Sequence, residues 1–312
     1  MTRKKHINNY FSIATLMIAL AGAPAMAATN LAPTPPMGWN SWDSYGLTVT
    51  EAEFKANVTW FHQHLQPRGW QYVVVDEGWY LLHPGEKGAA QGFVMDADGR
   101  YLVAGDRFSS SGFKPLADWV HSLGLKFGIH IIRGIPREAV EKNLPIAGSS
   151  FHAADAANTA DTCRWNADNY GLKNNAAARA YYDSIIKLYA GWGVDYIKVD
   201  CISKPYQADE IHMVSTAIGK SGRPMVLSLS PGPTPIDQAD DHKKYAQLWR
   251  ISDDMWDTWS APEGQTFPAG LVQQFDRTAQ WAPLIEAGHW PDADMLPLGD
   301  LGPRPGWKQA RM

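Results

Sequence analysis

The sequence predicts a single α/β domain built as a (β/α)8 TIM barrel, and three observations carry that prediction. Short continuous apolar runs, typical of strands buried on both faces, alternate with segments whose apolar residues recur at helical spacing. Seven such strand-like runs lie between residues 36 and 290. The chain has neither a G-x-G-x-x-G nor a Walker A motif. A barrel is therefore favoured over an open nucleotide-binding sheet.

The predicted elements follow in order along the chain. The strands are expected at 36–39, 72–77, 125–132, 194–200, 224–229, 248–251 and 281–290. A capping box at Thr50 and Glu53 begins the first helix. Further helices are indicated around 116–123 and 181–189, and the second of these should end near Gly191 and Gly193.

The composition excludes several classes of protein. The 312 residues are 45% hydrophobic and 19% charged, which is the balance of a folded chain rather than a disordered one. With 28 Lys and Arg against 32 Asp and Glu, we expect no nucleic-acid partner. Two cysteines exclude a disulfide-rich scaffold and a cysteine-based zinc ribbon. The 14 tryptophans predict flat apolar binding faces as well as core filling.

The first 27 residues have the pattern of a secretory signal peptide. Three cations at 3–5 precede an apolar stretch at 11–23 that is too short to span a bilayer, and Ala-Met-Ala at 25–27 is a small-x-small cleavage site. We therefore expect the barrel domain at 28–312. It should be exported to the periplasm or beyond the cell, with no membrane attachment once the leader is removed.

A long connection, 134–175, lies between the third and fourth predicted strands. Connections of that length are uncommon unless they are functional, so we expect this one to lie over the catalytic face. It contains Cys163, while Cys201 follows the fourth strand. An exported chain enters an oxidising compartment where these cysteines can pair, although the sequence leaves that pairing open.

Carboxylates end three of the predicted strands: Asp76-Glu77, Asp200 and Asp253-Asp254. The C-terminal strand ends of a (β/α)8 barrel form its active-site face, so these acids should converge there. A single acid after a strand is commonly a helix N-cap, but three at the same topological position favour a site. Two converging carboxyls with aromatic walls predict cleavage of a glycosidic bond.

The neighbours of these acids suggest their roles. Lys198 and Asp200 share one face of a strand, so the cation favours the ionised carboxylate that a nucleophile requires. Asp254 lies among other acids and apolar residues such as Trp256 and Trp259. Like charges and apolar walls favour the protonated form that a general acid requires.

Metal chemistry is not predicted. His62 and His64 resemble the H-x-H of metal-dependent barrel hydrolases, but positions i and i+2 of a helix face different ways. His130, at the end of the third strand, is expected to hydrogen-bond a sugar. Candidates for stacking on a sugar follow strand-like runs: Trp39, Trp42, Trp79 and Trp290. Three other tryptophans are expected in the core: Trp60, Trp119 and Trp192.

Five long motifs resemble glycoside hydrolase family 27, the melibiase or α-galactosidase-like family. They occur in the family's order at 35–42, 75–79, 197–201, 249–259 and 290–296. The resemblance implies an exo-acting, retaining α-galactosidase that needs no cofactor and cleaves galactose-containing oligo- or polysaccharides. It implies Asp200 as the nucleophile and Asp254 as the acid/base. It further implies sugar contacts from Trp39, Asp76, Glu77, Lys198, Arg250 and Asp292 or Asp294.

Three departures from the family pattern bear on substrate and stability. Glu77 replaces a usual Asp, and its extra methylene points into the space of the galactose C6 group. A β-L-arabinopyranoside, which lacks that group, is therefore an alternative substrate. The small Ser230 leaves room for the C2 substituent of an α-N-acetylgalactosaminide. Cys201 lies one residue after the nucleophile rather than two, which puts the family's disulfide in doubt.

The length of the chain suggests an incomplete barrel. Seven strands can be placed rather than eight, and family members continue beyond 309–312 into an eighth strand and a C-terminal β-domain. An unclosed parallel barrel leaves two sheet edges unpaired. We therefore expect a barrel truncated before its eighth strand, without the β-domain. As an isolated chain it should be poorly soluble, or inactive and limited to binding sugar.

Overall fold

The centre of the fold is a seven-stranded parallel sheet whose spatial order follows the chain. The computed structural model describes Met1, residues 31–85 and residues 92–297. The predicted leader at 1–27 and the chain end at 309–312 lie outside this part, apart from Met1. The strands are β1 (Gly38–Asn40), β2 (Tyr72–Val75), β3 (Lys126–Ile132), β4 (Tyr196–Asp200), β5 (Val226–Leu229), β6 (Leu248–Arg250) and β7 (Trp290–Asp292).

One main helix lies between each pair of consecutive strands, as a β/α barrel requires. These helices are α1 (Glu51–His64), α2 (Lys114–Ser122), α3 (Ala176–Trp192), α4 (Ala208–Ser221), α5 (Ala239–Tyr245) and α6 (Leu271–Trp281). Shorter α-helical turns occur at Trp42–Tyr45, Arg137–Glu141 and Ala153–Ala156. Single 3₁₀ turns occur at Gln66–Arg68, Ile236–Gln238 and Ala282–Leu284.

Local sequence explains where two helices begin and one of them ends. Thr50 and Glu53 form the predicted capping box: the Glu53 N–H donates to Thr50 Oγ1, and the Thr50 N–H donates to Glu53 Oε2 at 2.9 Å. Asn175 caps α3 by accepting from the Ala178 N–H at 2.9 Å. Gly193 ends α3 at φ 86°, a left-handed conformation that glycine adopts without strain.

The sheet is open within the described residues. Each pair of neighbouring strands is parallel, and across residues 31–85 and 92–297 β1 bonds to β2 alone and β7 to β6 alone. The predicted parallel seven-strand arrangement is therefore confirmed. The predicted truncation and the missing β-domain concern residues outside the described part and stay predictions. None of the described helices combines the length and apolar character needed to cross a bilayer.

The last predicted strand was wrong. The apolar run at 281–290 begins with the end of α6 and continues into a 3₁₀ turn that contains Pro283, and β7 occupies only Trp290–Asp292. Trp281 is buried in the core from the helix, only 3% exposed, whereas Ile285 of the same run is 40% exposed. Apolar runs of this length do not distinguish a strand from the end of a buried helix.

Two tryptophan predictions were also wrong. Trp60 was expected in the core but lies on the solvent side of α1, 55% exposed. Trp79 was expected to face a sugar but is fully buried, and its ring packs edge-on against Phe113 and Trp192. Its indole N–H donates to the His130 carbonyl at 2.8 Å. Trp192 is buried as predicted, whereas Trp119 is half-buried.

The β3–α3 connection forms a small antiparallel sheet of its own. Its strands lie in the order Ile135–Pro136, Asn169–Leu172 and Ala157–Thr162. A separate hairpin pairs Leu81–Leu82 with Gly92–Phe93. The disulfide between Cys163 and Cys201 joins the connection to the residue that follows β4, with the two Cα atoms 5.9 Å apart. The pairing that the sequence left open is thus present, and it fixes the connection against the catalytic end of the barrel.

Candidate active site

A cavity of about 390 Å³ lies inside the curled sheet. It is lined from both edges of the sheet, by Trp39 on β1 and by Asp292 on β7. Six residues that the sequence singled out line it: Trp39, Lys198, Ser230, Arg250, Asp292 and Asp294. The other five are bonded to these residues or to one another: Asp76, Glu77, His130, Asp200 and Asp254. The predicted residues therefore converge at the carboxyl ends of the strands.

Asp200, the last residue of β4, is held by three polar neighbours. Its Oδ1 accepts from the Ser230 hydroxyl at 3.1 Å and from the Cys201 N–H at 2.7 Å, and its Oδ2 lies 3.5 Å from His130 Nε2. Burial opposes ionisation of Asp200, but His130 and, through its charge, Lys198 hold the pKa of this carboxyl well below its usual range. Asp200 is therefore an oriented carboxylate at neutral pH.

His130 lies against the nucleophile candidate rather than in open space. Its ring is 1% exposed, and its Nε2 faces Asp200. Within the described residues its buried Nδ1 has no hydrogen-bond partner. Burial disfavours the imidazolium, but the charges of Asp76 and Asp200 raise the pKa of His130 overall. The contact that the structure provides is thus an electrostatic one with Asp200, and the expected contact with a sugar stays a prediction.

Lys198 and Asp76 form a buried ion pair beside Asp200. Lys198 Nζ donates to Asp76 Oδ2 at 3.0 Å, and Asn40 Nδ2 donates to the same oxygen at 2.6 Å. The Asp76 N–H donates to the Ser41 hydroxyl oxygen at 3.0 Å. Against the effect of burial, the charge of Lys198 keeps the pKa of Asp76 below its usual value. Lys198 therefore hydrogen-bonds to Asp76. It affects Asp200 only through its charge, because Lys198 and Asp200 lie on the same face of β4.

Glu77 differs from its neighbour Asp76 in protonation. Burial raises the pKa of Glu77 to about 7; the charge of His130 opposes this shift, and the charges of Asp200 and Asp76 add to it. Glu77 Oε1 accepts from Asn166 Nδ2 at 2.7 Å. The pair after β2 thus combines one ionised carboxylate with one carboxyl that titrates near neutral pH.

Arg250 gathers the acids at the ends of β6 and β7. Its Nη2 donates to Asp294 Oδ2 at 2.6 Å and to Asp254 Oδ1 at 3.2 Å. Asp294 also accepts from the Met255 N–H at 2.6 Å and is 4% exposed, so it orders the loop that carries Asp254. Asp292 accepts from the Asp294 N–H at 2.9 Å and keeps its place in the cavity wall.

The surroundings of Asp254 differ from those expected. The sequence placed it between apolar walls, but its side chain is 44% exposed, and it is paired with Arg250. Trp259, one of the expected walls, is 65% exposed. The neighbouring Asp253 turns the other way, where its Oδ1 accepts from Lys204 Nζ at 2.7 Å. Asp254 therefore lies at the open side of the site, facing solvent.

Sequence reasoning missed several residues that hold the site together. Asn40 ends β1 and Ser41 directly follows it, and short polar side chains at a strand end could have been read as site residues. Asn166 and Lys204 gave no such signal, because their contacts depend on how the β3–α3 and β4–α4 connections fold. His62 and His64 lie on α1 as predicted and contact Gln66 and the Trp60 carbonyl. The described residues contain no cluster of three His, Cys, Asp or Glu suited to a metal.

A parallel β/α barrel with two carboxylates at the ends of β4 and β6, flanked by buried cations, has the architecture of the barrel glycoside hydrolases. The melibiase family model described as alpha galactosidase A matches residues 160–312. This match, together with the motifs and the fold described above, supports glycoside hydrolase family 27 as the family of the chain.

Known proteins of this kind resemble the chain over most of its length. Alpha-galactosidase A of Cellvibrio japonicus is 28% identical over 305 residues, covering 96% of this chain and 63% of that protein. A family 27 β-L-arabinopyranosidase of Geobacillus stearothermophilus, solved with arabinose, is 48% identical with a TM-score of 0.82, covering 90% of this chain and 66% of that one. A putative α-N-acetylgalactosaminidase of Bacillus halodurans is 45% identical with a TM-score of 0.72, covering 87% and 63%. The chain thus spans less than two thirds of these relatives.

Proposed function

We propose that the protein is a retaining exo-glycosidase in which Asp200 attacks the anomeric carbon of a terminal sugar. The observation that carries this proposal is that one site contains two different carboxyls: Asp200, which is ionised and held in a fixed direction, and Asp254, which faces solvent. Asp254 donates a proton to the leaving oxygen as the glycosyl–aspartyl ester forms. It then takes a proton from the water that hydrolyses that ester, which is the two-step chemistry of retaining enzymes.

The neighbours of Asp200 support the first step. The Ser230 hydroxyl, the Cys201 N–H and His130 fix the direction of the carboxylate, so little reorganisation is needed when the carbon–oxygen bond forms. Arg250 contacts Asp254 at 3.2 Å and is itself fixed by Asp294. This cation holds the acid/base carboxyl in place on the open side of the cavity, where a leaving group departs.

The sugar is proposed to be a pyranoside of galacto configuration that lacks a hydroxymethyl group, namely a β-L-arabinopyranoside. Glu77 is fixed by a hydrogen bond from Asn166, and we expect its extra methylene to fill the space that an aspartate would leave for C6. The β-L-arabinopyranosidase of Geobacillus stearothermophilus is 48% identical to this chain, whereas the Cellvibrio alpha-galactosidase is 28% identical. Terminal α-D-galactosides are the second candidate, supported by the names of the more distant relatives. Export is proposed from the leader pattern, and the disulfide supports an oxidising compartment.

The nucleophile is tested by replacing Asp200. We expect Asp200→Ala to lose at least about 10³-fold in kcat on p-nitrophenyl β-L-arabinopyranoside, because the covalent step is abolished. Azide should restore part of the rate by taking the place of the carboxylate, giving a glycosyl azide. Ser109→Ala serves as the control, because Ser109 lies in the loop before α2 and its hydroxyl donates to Glu51 on α1 rather than to a proposed site residue. Full activity in Asp200→Ala would contradict the proposal.

The sugar preference is tested by the ratio of kcat/KM for the p-nitrophenyl β-L-arabinopyranoside and α-D-galactoside. Wild type should favour the arabinopyranoside. Glu77→Asp should move the ratio towards the galactoside by about ten-fold, because one methylene in a sterically closed site changes binding by roughly 1–3 kcal/mol. Glu138→Asp makes the same chemical change on a short helix outside the site and should leave the ratio unaltered. An unchanged ratio of kcat/KM values in Glu77→Asp would contradict the proposal that the Glu77 side chain excludes the C6 group.

A further inference from the structure

Four residues of the β3–α3 connection, 163–166, are fixed to the catalytic end of the barrel at both of their ends. Cys163 is disulfide-bonded to Cys201, the residue directly after Asp200. Asn166 Nδ2 donates to Glu77 Oε1 at 2.7 Å. The segment is therefore tied at one end beside the proposed nucleophile and at the other end to the carboxyl proposed to select the sugar.

Trp165 lies inside this doubly anchored segment with its ring turned outward. Its side chain is 49% exposed, although Cys163 and Asn166 on either side are only 9% and 8% exposed. Within residues 31–85 and 92–297 the indole N–H makes no hydrogen bond and the ring packs against no aromatic neighbour. Both anchors restrict the backbone of this segment, so Trp165 stays near Glu77 and near Cys201, the residue after Asp200.

A second exposed tryptophan shows what an ordinary surface position looks like here. Trp60 is 55% exposed on α1, but its ring stacks on His64 with centroids 4.4 Å apart. It lies on a helix whose side chains contact none of the proposed catalytic residues. The two exposed tryptophans therefore differ: the ring of Trp60 is stacked on His64 of its own helix, whereas the ring of Trp165 has no aromatic partner among the described residues and belongs to a segment anchored to the site.

We propose that Trp165 is the platform of an aglycone subsite, on which the leaving-group sugar stacks. This inference rests on the proposed function. A terminal sugar inside the cavity leaves its aglycone at the open rim, where the half-exposed Asp254 would protonate the connecting oxygen. The C–H face of a pyranose or furanose ring packs on an indole face, and such contacts combine apolar burial with a defined orientation. The ligand class is thus an oligosaccharide with at least one further sugar beyond the scissile bond.

The test compares two substrates that share the terminal sugar and differ in the leaving group. A disaccharide in which β-L-arabinopyranose is linked to a second arabinose carries a sugar as its leaving group, whereas β-L-arabinopyranosyl fluoride carries one atom. In the full chain, Trp165→Ala should lower kcat/KM on the disaccharide by about ten-fold, mainly through KM, and change kcat/KM on the fluoride by less than two-fold. Trp165→Phe, which keeps an aromatic face, should retain most of the activity on the disaccharide. Trp60→Ala should behave like wild type on both substrates.

Other outcomes overturn the inference in distinguishable ways. An equal loss on both substrates in Trp165→Ala and Trp165→Phe would mean that the residue only positions Glu77 or Asp200. Unchanged kcat/KM on the disaccharide would mean that nothing stacks there. Hydrolysis of the fluoride but not of the disaccharide by wild type would refute the aglycone subsite and leave the proposed chemistry standing. Hydrolysis of neither substrate would instead refute the proposed function.

Discussion

At the scale of single residues, the site separates its carboxyls by protonation state. Asp200 and Asp76 are kept ionised by His130 and Lys198, whereas burial raises the pKa of Glu77 to about 7. All three acids are buried in the same site. The charge of each therefore depends on the cations beside it and not on whether it is an aspartate or a glutamate. A nucleophile needs its charge, while a residue that contacts hydroxyl groups works either as a donor or as an acceptor.

The raised pKa of Glu77 predicts a pH-dependent cost in stability. In the unfolded chain this carboxyl ionises near its ordinary pKa of 4.5, but in the folded protein only near 7. Between these values the folded state holds more protons, so the free energy of unfolding falls as pH rises from about 4.5 to 7 and then levels off. The total for a shift of this size is about 3 kcal/mol.

Urea unfolding of wild type and Glu77→Gln at several pH values measures this effect. The difference in unfolding free energy between them should move by about 3 kcal/mol in favour of the variant across the window. Glu138→Gln, in which a partly exposed carboxyl outside the site is replaced, should track wild type. A constant difference from pH 4.5 to 7 would contradict a protonated Glu77 in the folded protein.

At the scale of elements, Arg133 connects the end of β3 to three other parts of the fold. Its Nε donates to the Cys201 carbonyl at 2.7 Å, its Nη1 to Glu210 Oε1 on α4 at 2.6 Å, and its Nη2 to Asp161 Oδ1 at 2.6 Å. Arg133 and Glu210 are 2% and 3% exposed. The guanidinium thus holds Cys201, which adopts a left-handed φ of 61°, in the conformation that turns its N–H towards Asp200.

Removing this cation should be costly for the whole domain. Arg133→Met leaves the Glu210 carboxylate buried without its partner, and we expect a loss of about 3–5 kcal/mol in unfolding free energy by urea titration. Lys114→Met breaks the exposed Lys114–Asp118 pair of α2, with both side chains more than half exposed, and should cost less than about 0.5 kcal/mol. Equal effects of the two substitutions would show that the Arg133 network does not stabilise the catalytic end.

At the scale of the whole molecule, the sequence predicts the barrel more completely than the site. Apolar runs and one capping box locate β2 to β6 and helices α1 to α3, because burial on both faces and helix capping are local in sequence; α4, α5 and α6 were not predicted. The sequence placed the last strand too early, because the apolar side chain of Trp281 belongs to the end of α6 and packs into the core from there. The acids at strand ends follow from barrel topology, but the contacts of Asn166 and Arg133 do not. They depend on the tertiary fold of a long connection that carries no periodic pattern.

The disulfide should stabilise the described barrel as a unit. Cys163 and Cys201 are 38 residues apart, and closing a loop of that length contributes about 4 kcal/mol in the chain-entropy model. The double variant Cys163→Ser/Cys201→Ser should therefore unfold at lower urea concentration than oxidised wild type. Wild type held in reductant is the matched control and should resemble the variant. Identical midpoints for oxidised and reduced wild type would show that the link is not formed or does not stabilise.

The central claim, that Asp200 forms a covalent bond to the sugar, is tested most directly by trapping that intermediate. A 5-fluoro-β-L-arabinopyranosyl fluoride slows hydrolysis of the glycosyl–enzyme while its good leaving group lets the first step proceed. After proteolysis, mass spectrometry should find the added fluorosugar on the peptide that contains Asp200, and Asp200→Ala should show no labelled peptide. A label on Asp254 or on Glu77, or turnover with inverted anomeric configuration and no label, would contradict the account.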